Sequence, residues 1–83
     1  MEKLYIYAYP AQLIILQLLN GDKIINNENC KFNDTVLRVN SYLKNRNIDS
    51  ITIIGQTSYA DRIEQLIYSN FNGIVNIERI NND

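Results

Sequence analysis

The segment "IIGQTSYADR", Ile53 to Arg62, carries the pattern in this chain best suited to holding an anion. An apolar run ends at Gly55, and Gln56, Thr57 and Ser58 then lead into residues suited to a helix. At such a junction the unpaired N–H groups of the first helical turn and the helix dipole favour negative charge. Gly55, Gln56, Thr57 and Ser58 are therefore a candidate anion- or nucleotide-binding turn. Ordinary turn and capping chemistry accounts for the same four residues, with Asp61 already supplying the charge that the first helical turn favours.

Other chemistry is excluded by residue type. The chain has no histidine and one cysteine, so neither a Ser-His-Asp nor a Cys-His arrangement can be assembled, and a structural zinc site lacks ligands. Cys30 reads as a small residue near a strand end. Asp22 falls in a turn, Asp34, Asp61 and Glu64 on helices, Asp49 before a strand and Glu78 on the last strand, where they read as solvated groups. Arg38, Tyr42 and Asn45, with Lys44 and Arg46 near them, could touch a phosphate backbone but read equally as a solvated helix face. No catalytic residue, metal ligand or cofactor site is expected.

Eighty-three residues at a net charge of −1 suit one small domain, residues 1–83, without the basic surplus that marks nucleic-acid binding. Such a chain buries only about 60–65% of its unfolded surface, which favours a covering partner or a second copy. The longest unbroken apolar run, Leu13 to Leu16, is far short of the roughly 18 residues a membrane span needs. With no secretory leader pattern and no possible internal disulfide, a cytoplasmic location is the expectation. The excess of Asn, Ile and Tyr fits an AT-rich genome such as that of a low-GC bacterium or its phage.

Strands and helices follow from periodicity. "LYIYAY", Leu4 to Tyr9, alternates with period two and is rich in β-formers, which predicts a strand. Asn20-Gly21 between apolar runs predicts a hairpin, with strands at Gln12–Leu19 and Asp22–Asn27, because both residues tolerate positive φ. A helix over Pro10–Leu19, with Pro10 at its first position and Gly21 at its C-cap, is the rival reading. Val36, Val39 and Leu43 recur at helical spacing behind an Asn33 or Asp34 cap, with Arg38, Ser41, Tyr42 and Asn45 on the other side. A strand at Ser50–Ile54 ends at Gly55. A second helix starts at a Ser58 cap, turns Ala60, Ile63, Ile67 and Phe71 inward and stops near Gly73. Ile74–Ile80 reads as the last strand.

The resulting β-β-β-α-β-α-β order resembles the core of the ribonuclease H-like fold, shared by ribonucleases H, Holliday-junction resolvases and actin-like ATPases. The resemblance lies in element order. It implies an α/β domain with a mixed five-stranded sheet in spatial order 3-2-1-4-5, the second strand antiparallel to the rest. Nucleases of that fold place one acid mid-way along the first strand and another at the end of the fourth. Here those places hold Tyr7, Ala8 and Tyr9, and Ile53 to Gln56, so the chain reads as catalytically degenerate. The ATPases need a glycine-rich turn after the first strand, where "YPAQ" stands, and a second lobe.

Right-handed crossovers within that order put both helices on one face of the sheet. Aliphatic Leu4, Ile6 and Ala8 suit the covered face, and Tyr5, Tyr7 and Tyr9 the open one, because a tyrosine joins a large apolar body to a hydroxyl that reaches water or a partner. Beside the tyrosines would lie either Ile14 and Leu16 or Leu13 and Ile15, according to the register. The expected function is a non-catalytic protein-interaction module, accessory or regulatory in role, whose partner is a second copy in a homodimer or another protein. The alternative is a nucleotide- or anion-binding subunit or enzyme using the turn at Gly55–Ser58.

Overall fold

A computed structural model describes residues 1–71, 73 and 75–83. The strands are β1 (Glu2–Ala8), β2 (Ile14–Asn20), β3 (Lys23–Cys30), β4 (Ile48–Gly55) and β5 (Ile77–Asn81); the helices are α1 (Thr35–Asn45), entered through one 3-10 turn at Phe32–Asp34, and α2 (Thr57–Asn70). They form one five-stranded sheet in the order β3-β2-β1-β4-β5. β2 runs antiparallel to β1 and β3, while β4 is parallel to β1 and to β5. Both the expected strand order and the expected hairpin are found, and Pro10–Leu19 is not a helix.

The hairpin turns one residue later than its sequence suggests. Asn20 pairs with Lys23 inside the ladder, leaving Gly21-Asp22 as a two-residue loop. Gly21 has φ 61 and Asp22 is not at positive φ, which is the pattern of a loop that needs glycine at its first central position. In the link between β1 and β2, Ala11 sits at φ 63, in the left-handed region that residues other than glycine seldom adopt. On β3, Ile25 falls where the ladder with β2 shifts register, a bulge that twists this exposed edge and discourages further strand pairing.

One face of the sheet carries the core. Leu4, Ile6 and Ala8 of β1, Ile14 and Leu16 of β2, and Ile51 and Ile53 of β4 pack with Val39 of α1 and Ala60, Ile63 and Ile67 of α2. Both helices therefore lie on that face. Leu43 packs against the core from α1, as its spacing predicts. Tyr42 does so too, instead of facing outward with Arg38 and Ser41. The reason is its hydroxyl: it donates to Glu28 Oε2 at 2.9 Å and accepts from Asn26 Nδ2 at 2.7 Å, so the ring can be buried while its polar end bonds to the edge strand.

Several boundaries differ from expectation. β3 extends to Cys30 and β4 begins at Ile48, because pairing with a neighbour continues a strand through residues of weak β-propensity. Asp34 stands at the cap of α1 but makes no side-chain capping bond, since its own backbone is already helical within the preceding turn. Phe71 is the half-buried C-cap of α2, in extended backbone, and not a residue of its inner face. Of the expected last strand, Ile74 lies outside the described residues and the pairing with β4 begins at Ile77. No helix among the described residues is long and apolar enough to cross a membrane.

Candidate interaction face and the capped helix terminus

The sheet face away from the helices is built by the other set of alternating residues. Its composition follows from the pairing register. Across four strands, Ile15 of β2 pairs with Tyr7 of β1, Tyr7 with Ile54 of β4, and Ile54 with Ile80 of β5, so four large apolar side chains stand in one row. Asn29 of β3 ends that row. The next row is Asn27, Gln17, Tyr5, Thr52 and Glu78. A third holds Ile24, Leu19, Lys3 and Ser50.

Tyr5 and Tyr7 thus stand on the open face, as their alternation predicts, and of the two registers the one that places Ile15 beside them is the one found. Leu13 belongs to the preceding loop, 49% exposed. Tyr7 donates from its hydroxyl to Gln17 Oε1 at 3.2 Å, and Tyr9, just beyond β1, accepts from Asn82 Nδ2 at 3.0 Å. These bonds engage both phenol oxygens within the chain, and both tyrosines are half-buried. Thr52 is 5% exposed beneath its neighbours, whereas Ile80, on the edge strand, is 50% exposed. Ile54 and Ile80 are the members of this face that periodicity missed. "SITIIG" and "IVNIERI" are apolar enough on both sides that only the ladder tells which residues face outward.

The turn at Gly55–Ser58 is brought together as a strand end running into α2, but the Gln56 and Thr57 N–H groups and the Thr57 and Ser58 hydroxyls are engaged from within the chain. Asp83 accepts from the Thr57 backbone N–H at 2.9 Å and from the Thr57 hydroxyl at 2.7 Å. Those two bonds, the backbone one first, hold the Asp83 carboxyl below the usual aspartate value. Gln56, not Ser58, is the N-cap: its Oε1 accepts from the Tyr59 N–H at 3.2 Å and also from the Ser58 hydroxyl. A glutamine serves because its longer side chain folds back over the first turn, which the usual preference for short capping residues hides. The Gln56 N–H donates to the Ala8 carbonyl at 3.0 Å. The place an anion would occupy is filled by Asp83, which nothing in the local pattern signals.

Arg79 organises the same corner. Its Nη1 reaches Asp61 Oδ1 and Glu64 Oε1, both at 2.8 Å, so these two carboxylates of α2 clamp β5. Arg46 makes a two-pronged bond to Glu2 at 2.8 and 2.9 Å, tying the end of α1 to the start of β1. Among the described residues no three of Cys, Asp and Glu are grouped to hold a metal ion. Cys30 is buried, 3.7 Å from the Thr35 hydroxyl oxygen, and burial raises its pKa, which suppresses the reactive thiolate.

Arg38, Tyr42, Asn45 and Arg46 do converge, around a groove of about 300 Å³ between α1 and β3. Glu28 shares it and offsets the positive charge: its carboxylate lies 3.7 Å from Arg38 and accepts the Tyr42 hydroxyl bond. Burial, and then that bond, push the Tyr42 pKa from 10.0 up to about 12. The protonated phenol therefore favours the fold fully below pH 10, and this contribution is lost as pH rises toward about 12. Alkaline absorbance titration should show a late tyrosinate phase near that value, and Tyr42→Phe should remove it. A variant that keeps the late phase and loses its tyrosinate amplitude only at lower pH would mean that the Glu28 contact does not persist in solution.

No protein-family profile matches this chain, no curated protein matches its sequence, and no solved structure matches it.

Proposed function

We propose that the chain is a non-catalytic interaction module, a degenerate domain of ribonuclease H-like strand order, that self-associates through the open face of its sheet. The observation that carries this reading is the row Ile15, Tyr7, Ile54 and Ile80, four apolar side chains in register on a face that no described element covers. A contiguous apolar strip of this kind is what soluble monomers tend to cover, and tyrosine is among the residues that most often dominate binding energy. The core lies wholly under the helices, so the open face contributes its apolar area mainly when a second surface meets it.

Sedimentation from micromolar to millimolar concentration tests the reading. The native chain should move from its monomer mass of 9.7 kDa toward the dimer. The double variant Tyr7→Ser, Ile54→Ser should remain monomeric with an unchanged circular dichroism spectrum. A native chain that stays monomeric throughout, or a dimer that survives the double variant, would overturn the proposal.

A further inference from the structure

The apolar row has a symmetry of its own. About a line between β1 and β4, parallel to the strands, Tyr7 and Ile54 are mirror positions, and so are Ile15 and Ile80 one strand further out. In the second row the same line relates Tyr5 to Thr52 and Gln17 to Glu78. A two-fold axis lying in the plane of an interface performs this exchange, because rotation about it places each residue over its mirror position in the other copy.

We infer that two copies pack face to face about such an axis, with Ile15 over Ile80 of the second copy and Tyr7 over Ile54 of the second copy. This rests on the self-association proposed above and specifies its register. Each apolar residue of the row then meets an apolar one, and Gln17 meets Glu78 of the second copy, an amide able to donate to a carboxylate. The strands of the two sheets run nearly parallel to the axis, so after twist they fall in the aligned class of sheet packing, at about −30°. An axis lying along the row would set Tyr7 on Tyr7 and overlap only one end of the sheets. An axis chosen to bring Lys3 over Glu78 would set Ile54 against Gln17 and leave the row unmatched.

The face also suits a copy of itself in charge and in size. Its two charged residues, Lys3 and Glu78, are of opposite sign, and neither makes an ion pair with another described residue. Two like faces therefore meet without net repulsion. Four strands at about 4.8 Å spacing and some seven residues in length present roughly 450 Å² per copy, or about 900 Å² in total. That lies about a quarter below the roughly 1,200 Å² at which stable specific interfaces begin, so the dimer should be a weak one that forms in the micromolar range or above.

In this register the two copies of position 15, like the two copies of position 80, lie three strand spacings apart across the dimer, at least roughly 14 Å, too far for a short cross-linker to join. The test mixes two single variants, Ile15→Cys and Ile80→Cys, and treats them with a short bismaleimide; the native chain is the control for buried Cys30. The mixture should give a covalent dimer in severalfold higher yield than either variant alone. A mixture that cross-links no better than the separate variants, while native sedimentation still shows a dimer sensitive to Tyr7→Ser with Ile54→Ser, would overturn this register and leave the broader proposal standing. Absence of any dimer by sedimentation would overturn both.

Discussion

Gly55→Ala should cost more than about 3 kcal/mol of stability, and its urea transition should collapse toward zero denaturant. A Cβ built at Gly55 falls inside the contact distance of the Ala8 carbonyl oxygen, 2.7 Å from the Ala8 carbonyl carbon and 3.0 Å from its nitrogen. These are backbone atoms of the neighbouring strand, so no side chain can swing aside to relieve the overlap. The carbonyl is also held in place by the Gln56 N–H at 3.0 Å, and the Gly55 carbonyl by the Asn82 N–H at 2.8 Å. Relief would require β1 and β4 to part where the chain enters α2. A chain of this length has only about 4–12 kcal/mol of folding stability in total, so the loss would remove at least about a quarter of it. Gly21→Ala is the control: it shares a positive φ, 61, but its Cβ would meet nothing within 4 Å, so it should cost only about 1 kcal/mol of backbone strain. Equal losses at the two positions would show that conformation, not the close approach to Ala8, sets the requirement for glycine.

Gly55 also illustrates what was legible in the chain. Its place at the end of a strand could be read locally, but its reason could not, because the atom it must avoid lies 47 positions away in sequence, on Ala8. The same division runs through the molecule. The inner face of α2 follows from spacing alone, since Ala60, Ile63 and Ile67 recur every three or four residues and are all buried; on α1 Val39 and Leu43 follow it too, but in the first turn Thr35, and not the expected Val36, is buried. Tyr42 breaks that rule because burial of a tyrosine depends on a partner for its hydroxyl, and Glu28 comes from another element. The cap of α2 is Gln56 and not the expected Ser58 for a related reason: both residues can accept from the first turn, and the backbone entering from β4 selects the earlier one. The open face was half legible. Alternation placed Tyr5 and Tyr7, but Ile54 and Ile80 became neighbours of Tyr7 only through the register of the two parallel ladders.

Ile6→Ala and Tyr7→Ser, adjacent on β1, should separate the two roles of that strand. Ile6 is fully buried between Leu16 and Ile53 beneath the helices. Truncation there removes three carbons from a close-packed site and should cost about 3–4 kcal/mol, transfer and cavity terms together. Because that core lies within one copy, the drop in urea midpoint should be nearly the same at every protein concentration. Tyr7 lies on the other face, half-buried, with its hydroxyl on Gln17, so in the dilute monomer Tyr7→Ser should cost no more than about 1 kcal/mol. Its larger effect should appear with concentration. Association stabilises the folded chain by mass action, so the native midpoint should climb as protein is added, and the Tyr7→Ser midpoint should not. A concentration-dependent loss in Ile6→Ala, or an undiminished climb in Tyr7→Ser, would contradict this division of labour. Under the proposed self-association, tyrosine suits the second role because the face would be wet in one state and covered in the other. An aliphatic residue leaves only apolar surface in water when the copies part. The phenol keeps its oxygen bonded to Gln17 while its ring remains available for contact, which is a physical reason for tyrosine to alternate with Leu4, Ile6 and Ala8 along the central strand.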